Sequence, residues 1–406
     1  MRILMLHNRY LVRGGEDESA DLEAALLRQY GHEVDLMLFE NTDIPRRNLL
    51  GVGLGAVWSR SAYRRVAQQL SEKEYDIVHV QNFFPLISPS AHYAGKAANK
   101  PVVQALRNYR LVCLNVLLYR SGHICEDCLR QPVPWPGVIH GCYRSSRRGS
   151  LAVAAMVTAH RFLGTWRNQV DCFYTLSEFA KDKLIAGGIS ADRLLVKPNL
   201  IYPDPGESHQ KREYAFLAGR LVKEKGIPTV LAAWDKIPDP IPLRIAGEGP
   251  WSSRIDDAAR RMPWVENLGR VDHSEVCEEM GRARFVIFPT EWFEVFSRII
   301  VEAFAKGTPI IASNVGSVKE LVTDHRNGLL FEPGNSGDLA EKTRWAWTHP
   351  QEMAAMGRQA RKDYEASFSS EINYAKLMDI YHRAMENSRQ NSGKHSPARN
   401  NNPRTL

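Results

Sequence analysis

Short apolar runs alternate with amphipathic stretches along most of the chain, a rhythm that predicts repeated strand–helix units. Arg2–His7, Val34–Phe39, Asp76–Gln81, Pro101–Leu106, Asp171–Thr175 and Leu194–Lys197 read as buried parallel strands, with helices over Asp17–Tyr30, Ser90–Asn99 and Ser177–Gly187. Pro198–His209, which carries Pro198, Pro203 and Pro205, interrupts the rhythm as a linker does. It restarts with strands at Tyr214–Ala218, Leu243–Ala246, Val265–Leu268, Phe285–Phe288 and Pro309–Ser313. Ser297–Lys306 is amphipathic and is stopped by Gly307 and Pro309, so it reads as a helix between the last two strands. Further helices are expected at Asp338–Trp347, Glu352–Phe368 and Glu371–Met385.

The pattern predicts an α/β protein of two Rossmann-like domains facing each other across a cleft. The expected spans are 1–197 for the first domain, 198–212 for the linker and 213–370 for the second domain. A terminal helix is expected over 371–387, and the polar stretch 388–406 is expected to be disordered. A length of 406 residues suits two domains of ordinary size.

Composition narrows the class: 44% hydrophobic and 24% charged residues describe a soluble globular chain. The 53 basic against 46 acidic residues give a net charge of +7, which favours anionic ligands or an anionic membrane surface. No basic helix with recognition spacing points to nucleic acid. Met1–His7 runs into a polar loop without a cleavage site, and Leu151–Trp166 is short and contains His160 and Arg161. A cytoplasmic location is expected, with the inner face of the cytoplasmic membrane as a further place of contact.

Two stretches carry chemistry. In the second, Phe285–Pro333, a strand leads into a loop with Glu294, and the following helix holds Glu302, with seven residues between the two acids. Loops at the carboxyl ends of such strands are where open α/β sheets hold ligands. In the first, Gly219-Arg220-Leu221-Val222-Lys223-Glu224-Lys225-Gly226 follows a strand in the same way. It is not a P-loop, because no Gly-Lys-Ser/Thr follows. Arg220 can fork two phosphate oxygens, and Lys225 supplies a point charge. The alternatives are a basic surface loop and two solvated acids.

Glu294-x7-Glu302, Glu302-Ala303-Phe304-Ala305, Gly307-Thr308-Pro309, Gly316, Glu320 and Asn327-Gly328, together with Gly219-Arg220 and Lys225-Gly226, resemble the donor site of retaining, nucleotide-sugar-dependent glycosyltransferases of the GT-B fold, family 4. The resemblance covers nearly the whole chain before the tail. It implies transfer of a sugar from a nucleoside diphosphate, of UDP or GDP type, to a carbohydrate or lipid-linked hydroxyl acceptor, as in exopolysaccharide or lipopolysaccharide assembly. It makes Arg220, Lys225 and Glu294 the catalytic group, without a divalent metal in the chemistry. Gly15, Gly219, Ser297, Arg298 and Glu302 fall on the donor side, and Gly14, His79 and Arg107 on the acceptor or sugar side.

There are departures from the family pattern. Val295 and Ser317 stand where glycines are frequent, Ser297 likewise, and Arg107 stands where many members have a histidine beside the reacting sugar. Arg107 is expected to line the cleft; a structural salt bridge is its alternative. Two other functions fit parts of the pattern. A glycoside hydrolase would use Glu294 and Glu302 as acid and base but has no use for Arg220 and Lys225. A non-catalytic nucleotide-sugar-binding protein would use the whole array without turnover.

Cys113, Cys125, Cys128 and Cys142 fall within an insert, 113–142, that breaks the α/β rhythm. Their spacing, Cys-x11-Cys-x2-Cys-x13-Cys, offers four thiolates to a structural zinc ion, with small buried cysteines as the alternative.

Overall fold

Among the described residues two parallel six-stranded sheets organise the chain, and one short antiparallel hairpin lies in the insert within the first domain. The computed structural model describes residues 1–11, 14–42, 49–208 and 210–394. The first sheet contains β1 (Arg2–Arg9), β2 (Glu33–Glu40), β3 (Ile77–Asn82) and β4 (Val102–Ala105). The hairpin is β5 (Tyr119–Arg120) with β6 (His123–Ile124), and the first sheet then resumes with β7 (Cys172–Thr175) and β8 (Leu194–Val196). The second sheet is formed by β9 (Ala215–Ala218), β10 (Leu243–Ala246), β11 (Val265–Gly269), β12 (Phe285–Phe288), β13 (Ile310–Ser313) and β14 (Gly328–Phe331).

Strands β3, β4, β7, β12 and β13 are buried at every position, which is why they appear in the sequence as unbroken apolar runs. Spatial order is β2-β1-β3-β4-β7-β8 in the first sheet and β11-β10-β9-β12-β13-β14 in the second. The order therefore reverses between β1 and β3, and again between β9 and β12. Crevices that take ligands form at the carboxyl ends of strands at such reversals. The expected pair of Rossmann-like domains is the observed fold.

The last helix departs from expectation. Helix Ser370–Lys394 leaves the second domain and packs on β4, β7 and helix Gly15–Gln29 of the first. Tyr374 stacks on Tyr30 with ring centroids 3.7 Å apart, and Lys197 Nζ donates to Asn373 Oδ1 at 2.9 Å. Disorder expected from residue 388 is corrected up to Lys394. Ser388 is buried and its hydroxyl accepts from Lys96 Nζ at 3.0 Å, while Asn387 Nδ2 donates to the Asp171 carbonyl at 2.9 Å. Polar partners in the first domain hold this end of the helix, and a local hydrophobicity reading does not register them. Residues 395–406 lie outside the described residues.

Candidate active site

The loops after β9 and β12 meet because a glycine lets backbone pass close to backbone. Gly226 has φ of +72°, and a Cβ there would stand 1.9 Å from the Pro289 carbonyl oxygen. Only glycine allows the β9 loop to lie against the end of β12. Gly247, at φ +146°, would likewise drive a Cβ to 1.9 Å from the Gly219 carbonyl oxygen. A Cβ at Gly219 itself would meet nothing within 4 Å, so the space over that residue is open.

This close approach brings Lys225 to Glu294. Their ammonium and carboxylate form an ion pair, and Lys225 Nζ also stands 5.4 Å from the Phe288 ring centroid and 5.7 Å from that of Trp292. Glu294 is buried and accepts a second hydrogen bond from Thr290 Oγ1 at 3.2 Å. Its backbone carbonyl accepts from Ser317 Oγ at 2.8 Å, which fixes the loop that carries it. Arg220 is exposed, and its guanidinium makes no ion pair among the described residues.

Ser297 caps helix Arg298–Ala305, its Oγ accepting from the Ile300 N–H at 3.3 Å. One turn further, Glu302 is buried, with Arg298 Nη2 donating to its Oε1 at 3.1 Å and His273 Nε2 at 3.0 Å from the same oxygen. Burial pushes the Glu302 carboxyl up, but the His273 hydrogen bond and the Arg298 charge outweigh it and hold it below its ordinary value. The Cys277 thiol and the Glu302 carboxylate together push His273 up to about 10, so the ring is a cation at neutral pH.

The first domain closes over this helix. Arg298 also forms an ion pair with Glu18, and a Cβ built on Gly15 would lie 4.0 Å from Arg298 Cδ. Asp17 anchors the loop that carries Gly14 and Gly15: it accepts from the Gly14 N–H at 3.0 Å and the Tyr10 N–H at 3.3 Å, and lies 2.8 Å from buried His7 Nε2. At the other end of the interface, Ser177 Oγ donates to the Val295 carbonyl at 2.7 Å, and Glu320 accepts from the backbone amides of Glu178 and Phe179. Gly15, Ser297, Arg298 and Glu302 thus gather in one place, with Lys225 and Glu294 on the neighbouring loops.

Two expected cleft residues are not in the cleft. Arg107 is buried and points into the first domain, where it donates to Gln81 Oε1 at 2.9 and 3.1 Å and to Tyr174 Oη at 3.1 Å. It also pairs with Glu23 at 2.9 Å, and Lys197 pairs with the same carboxylate. Burial pushes Glu23 up, but these two cations outweigh it and hold the acid well below the ordinary carboxylate range. The physical reason is alternation: successive side chains at a strand end point to opposite sides. Asn108 takes the outward side, donating to Glu16 Oε1 at 2.8 Å. His79 is fully buried between Tyr381, 2.7 Å from Nδ1, and Tyr174, 3.2 Å from Nε2, and burial pushes it down to about 3. Both side chains are spent on partners within the protein.

Sequence reasoning passed over His273, Glu18 and Ser177. His273 opens the helix after β11, at the carboxyl end of the sheet, which was the available signal. Glu18 and Ser177 act across the domain interface and leave no local signature.

Cys113, Cys125, Cys128 and Cys142 line one cavity of about 20 Å³. All four are free thiols, and burial pushes Cys113, Cys128 and Cys142 up, Cys128 to about 12. Cys113 Sγ donates to Asn115 Oδ1 at 2.9 Å. Among the described residues, no three His, Cys, Asp or Glu side chains stand close enough together to hold a metal ion as placed.

Two family models divide the chain as the sheets do: a glycosyl transferase 4-like domain matches residues 14–200, and glycosyl transferases group 1 matches residues 202–363. Glycogen synthase of Mycobacterium tuberculosis is 29% identical over 178 residues, which is 42% of this chain and 43% of the synthase. The chain thus spans less than half the length of that relative. The 2-deoxystreptamine N-acetyl-D-glucosaminyltransferase of Niallia circulans is 20% identical over 342 residues, covering 81% of this chain and 82% of that protein. Among solved structures, Anabaena HepE in complex with UDP-glucose superposes with a TM-score of 0.66 at 19% identity, covering 94% of this chain and 100% of HepE. Matched over both halves by glycosyltransferase models and folded as two facing parallel-sheet domains, the chain belongs to the GT4-type glycosyltransferases.

Proposed function

We propose that the chain transfers a sugar from a nucleoside-diphosphate sugar to a hydroxyl acceptor with retention of anomeric configuration. The observation that carries this reading is the meeting of Lys225 with Glu294 where the second sheet reverses its strand order, beside buried Glu302. Arg220 and Lys225 stabilise the negative charge that develops on the departing diphosphate. With two cations there, the chemistry requires no divalent metal. Glu294 accepts from hydroxyls of the sugar and Glu302 from those of the ribose, while amides at the start of helix Arg298–Ala305 favour the phosphates. The bond from the anomeric carbon to the diphosphate breaks, a bond to the acceptor oxygen forms on the same face, and the acceptor proton passes to the departing phosphate oxygen.

The HepE complex with UDP-glucose supports a UDP-sugar donor, and the relative named glycogen synthase supports a carbohydrate acceptor. Exopolysaccharide or lipopolysaccharide assembly is the setting that the family resemblance implies. The test is incubation with UDP-, GDP- and ADP-sugars and oligosaccharide acceptors, reading diphosphate release and product configuration by NMR. Retention is expected. An inverted product overturns the mechanism, and donor binding without transfer or hydrolysis assigns the chain to a binding role.

For the cavity lined by Cys113, Cys125, Cys128 and Cys142 we propose structural zinc. The lining of that one cavity by four thiols from a loop-rich insert supports it.

A further inference from the structure

Two segments of the first domain, residues 49–71 and 129–170, contain no aspartate or glutamate and together hold nine arginines. That exceeds the +7 of the whole chain, so everything outside them is slightly acidic. The fold joins these segments: helix Leu49–Val57 and helix Trp135–Ile139 both pack on helix Arg147–Phe162. Gly53 permits the first contact, since a Cβ there would lie 3.6 Å from Ala152 Cβ, and Arg147 Nε secures the second by donating to the Ile139 carbonyl at 3.0 Å.

The central helix does not behave like an ordinary surface helix. It buries Val153, Ala154, Met156 and Val157 against the domain. Its opposite face carries Arg148, Leu151, Ala155 and Phe162, which are all exposed and fall on one side at helical spacing. Leu151 is 51% and Phe162 76% exposed. The two helices packed on it also expose apolar side chains, Trp135 at 57%, Ile139 at 60% and Leu54 at 75%. Arg144 and Arg148 are exposed at the same end. An apolar outer stripe of this extent is uncommon on a surface that meets only water.

We infer that this face rests on an anionic lipid bilayer. Phosphate headgroups match Arg144 and Arg148 in a stretch without acids, and the acyl boundary matches the exposed Leu151 and Phe162, as for a helix lying in the interface plane. A second copy of the chain would set Arg144 and Arg148 against their own counterparts, which charge disfavours. Among the described residues no helix is long and apolar enough to cross a membrane, so the contact is peripheral. The inference concerns this face alone and is independent of the donor's identity.

The test is co-sedimentation of the full chain with mixed phosphatidylcholine–phosphatidylglycerol vesicles and with pure phosphatidylcholine vesicles. Binding to the mixed vesicles is expected, with little to the pure ones. The pair Arg144→Glu, Arg148→Glu should weaken it by about tenfold or more. The pair Leu151→Ser, Phe162→Ser should weaken it comparably, with the melting temperature unchanged because both side chains are exposed. Equal binding to the two vesicle types, no binding to either, or binding that neither pair alters overturns the inference. So does a dimer, seen by light scattering, that disappears in the Leu151→Ser, Phe162→Ser variant, because that assigns the face to a second copy. A thermal shift by UDP-sugar, read on the same variants, reports the donor site separately.

Discussion

Lys225 and Glu294, carried on the loops after β9 and β12, are ion-paired where the second sheet reverses its strand order. The cation assigned to the diphosphate and the acid assigned to the sugar are thus neighbours, as they must be if both meet one donor molecule.

Arg220→Ala and Lys225→Ala should each lower kcat by about 10²–10³, comparable to losing one charge-stabilising donor at a developing anion. Their effects on stability should differ. Arg220 is exposed, so its removal should leave the melting temperature in place. Lys225→Ala leaves buried Glu294 without its cation and should cost about 1–3 kcal/mol. Wild-type turnover in the double variant contradicts the assignment.

Arg107, buried among Glu23, Gln81 and Tyr174, is expected to serve stability. Arg107→Ala removes one of the two cations paired with buried Glu23 and should destabilise by about 3 kcal/mol or more, read by denaturant unfolding. Arg107→Lys should recover little, because a single ammonium does not replace a fork that reaches Gln81, Tyr174 and Glu23. An unchanged melting temperature with a raised acceptor KM would return Arg107 to the cleft.

Acid should destabilise the protein before its carboxylates titrate. Burial pushes His79 down to about 3 and His92 down to about 4, so both stay neutral in the fold at pH 5. Unfolded histidines protonate near pH 6.5, so below that value the unfolded chain binds more protons and stability falls with pH. The slope is about 1.4 kcal/mol per pH unit for each histidine. His273, raised to about 10, is already charged in the fold across this window and does not contribute to the loss. Unfolding free energies at pH 6 and pH 5 should show the loss, and equal values contradict it.

Zinc in the insert predicts about one equivalent of metal in protein prepared without chelators, and a first domain that loosens on chelation. Elemental analysis finding none decides against it.

The strands were legible because helices cover both faces of each parallel sheet, which makes β12 and β13 continuous apolar runs. The loops bearing Lys225 and Glu294 followed from their place after such runs. What stayed hidden depends on contacts distant in sequence. Arg107 sits at a strand end like a cleft residue, and only Glu23 and Gln81, brought in from other elements, show that it faces inward. Glu18 approaches Arg298 only once the two domains have met. Helix Ser370–Lys394 gave no sign that it returns to the first domain, because its partners there, Tyr30, His79 and Lys197, lie in three separate segments.

The central claim is that this cleft holds a nucleoside-diphosphate sugar through Glu302 and its neighbours. Thermal unfolding with and without UDP-, GDP- and ADP-sugars measures it most directly, on the wild type and on Glu302→Gln. A ligand that binds only the folded state stabilises it by about 2.7 kcal/mol at a hundredfold excess over Kd. One family of donors should raise the wild-type melting temperature, with the shift much reduced in Glu302→Gln. No shift with any donor, or the same shift in both proteins, would contradict the account.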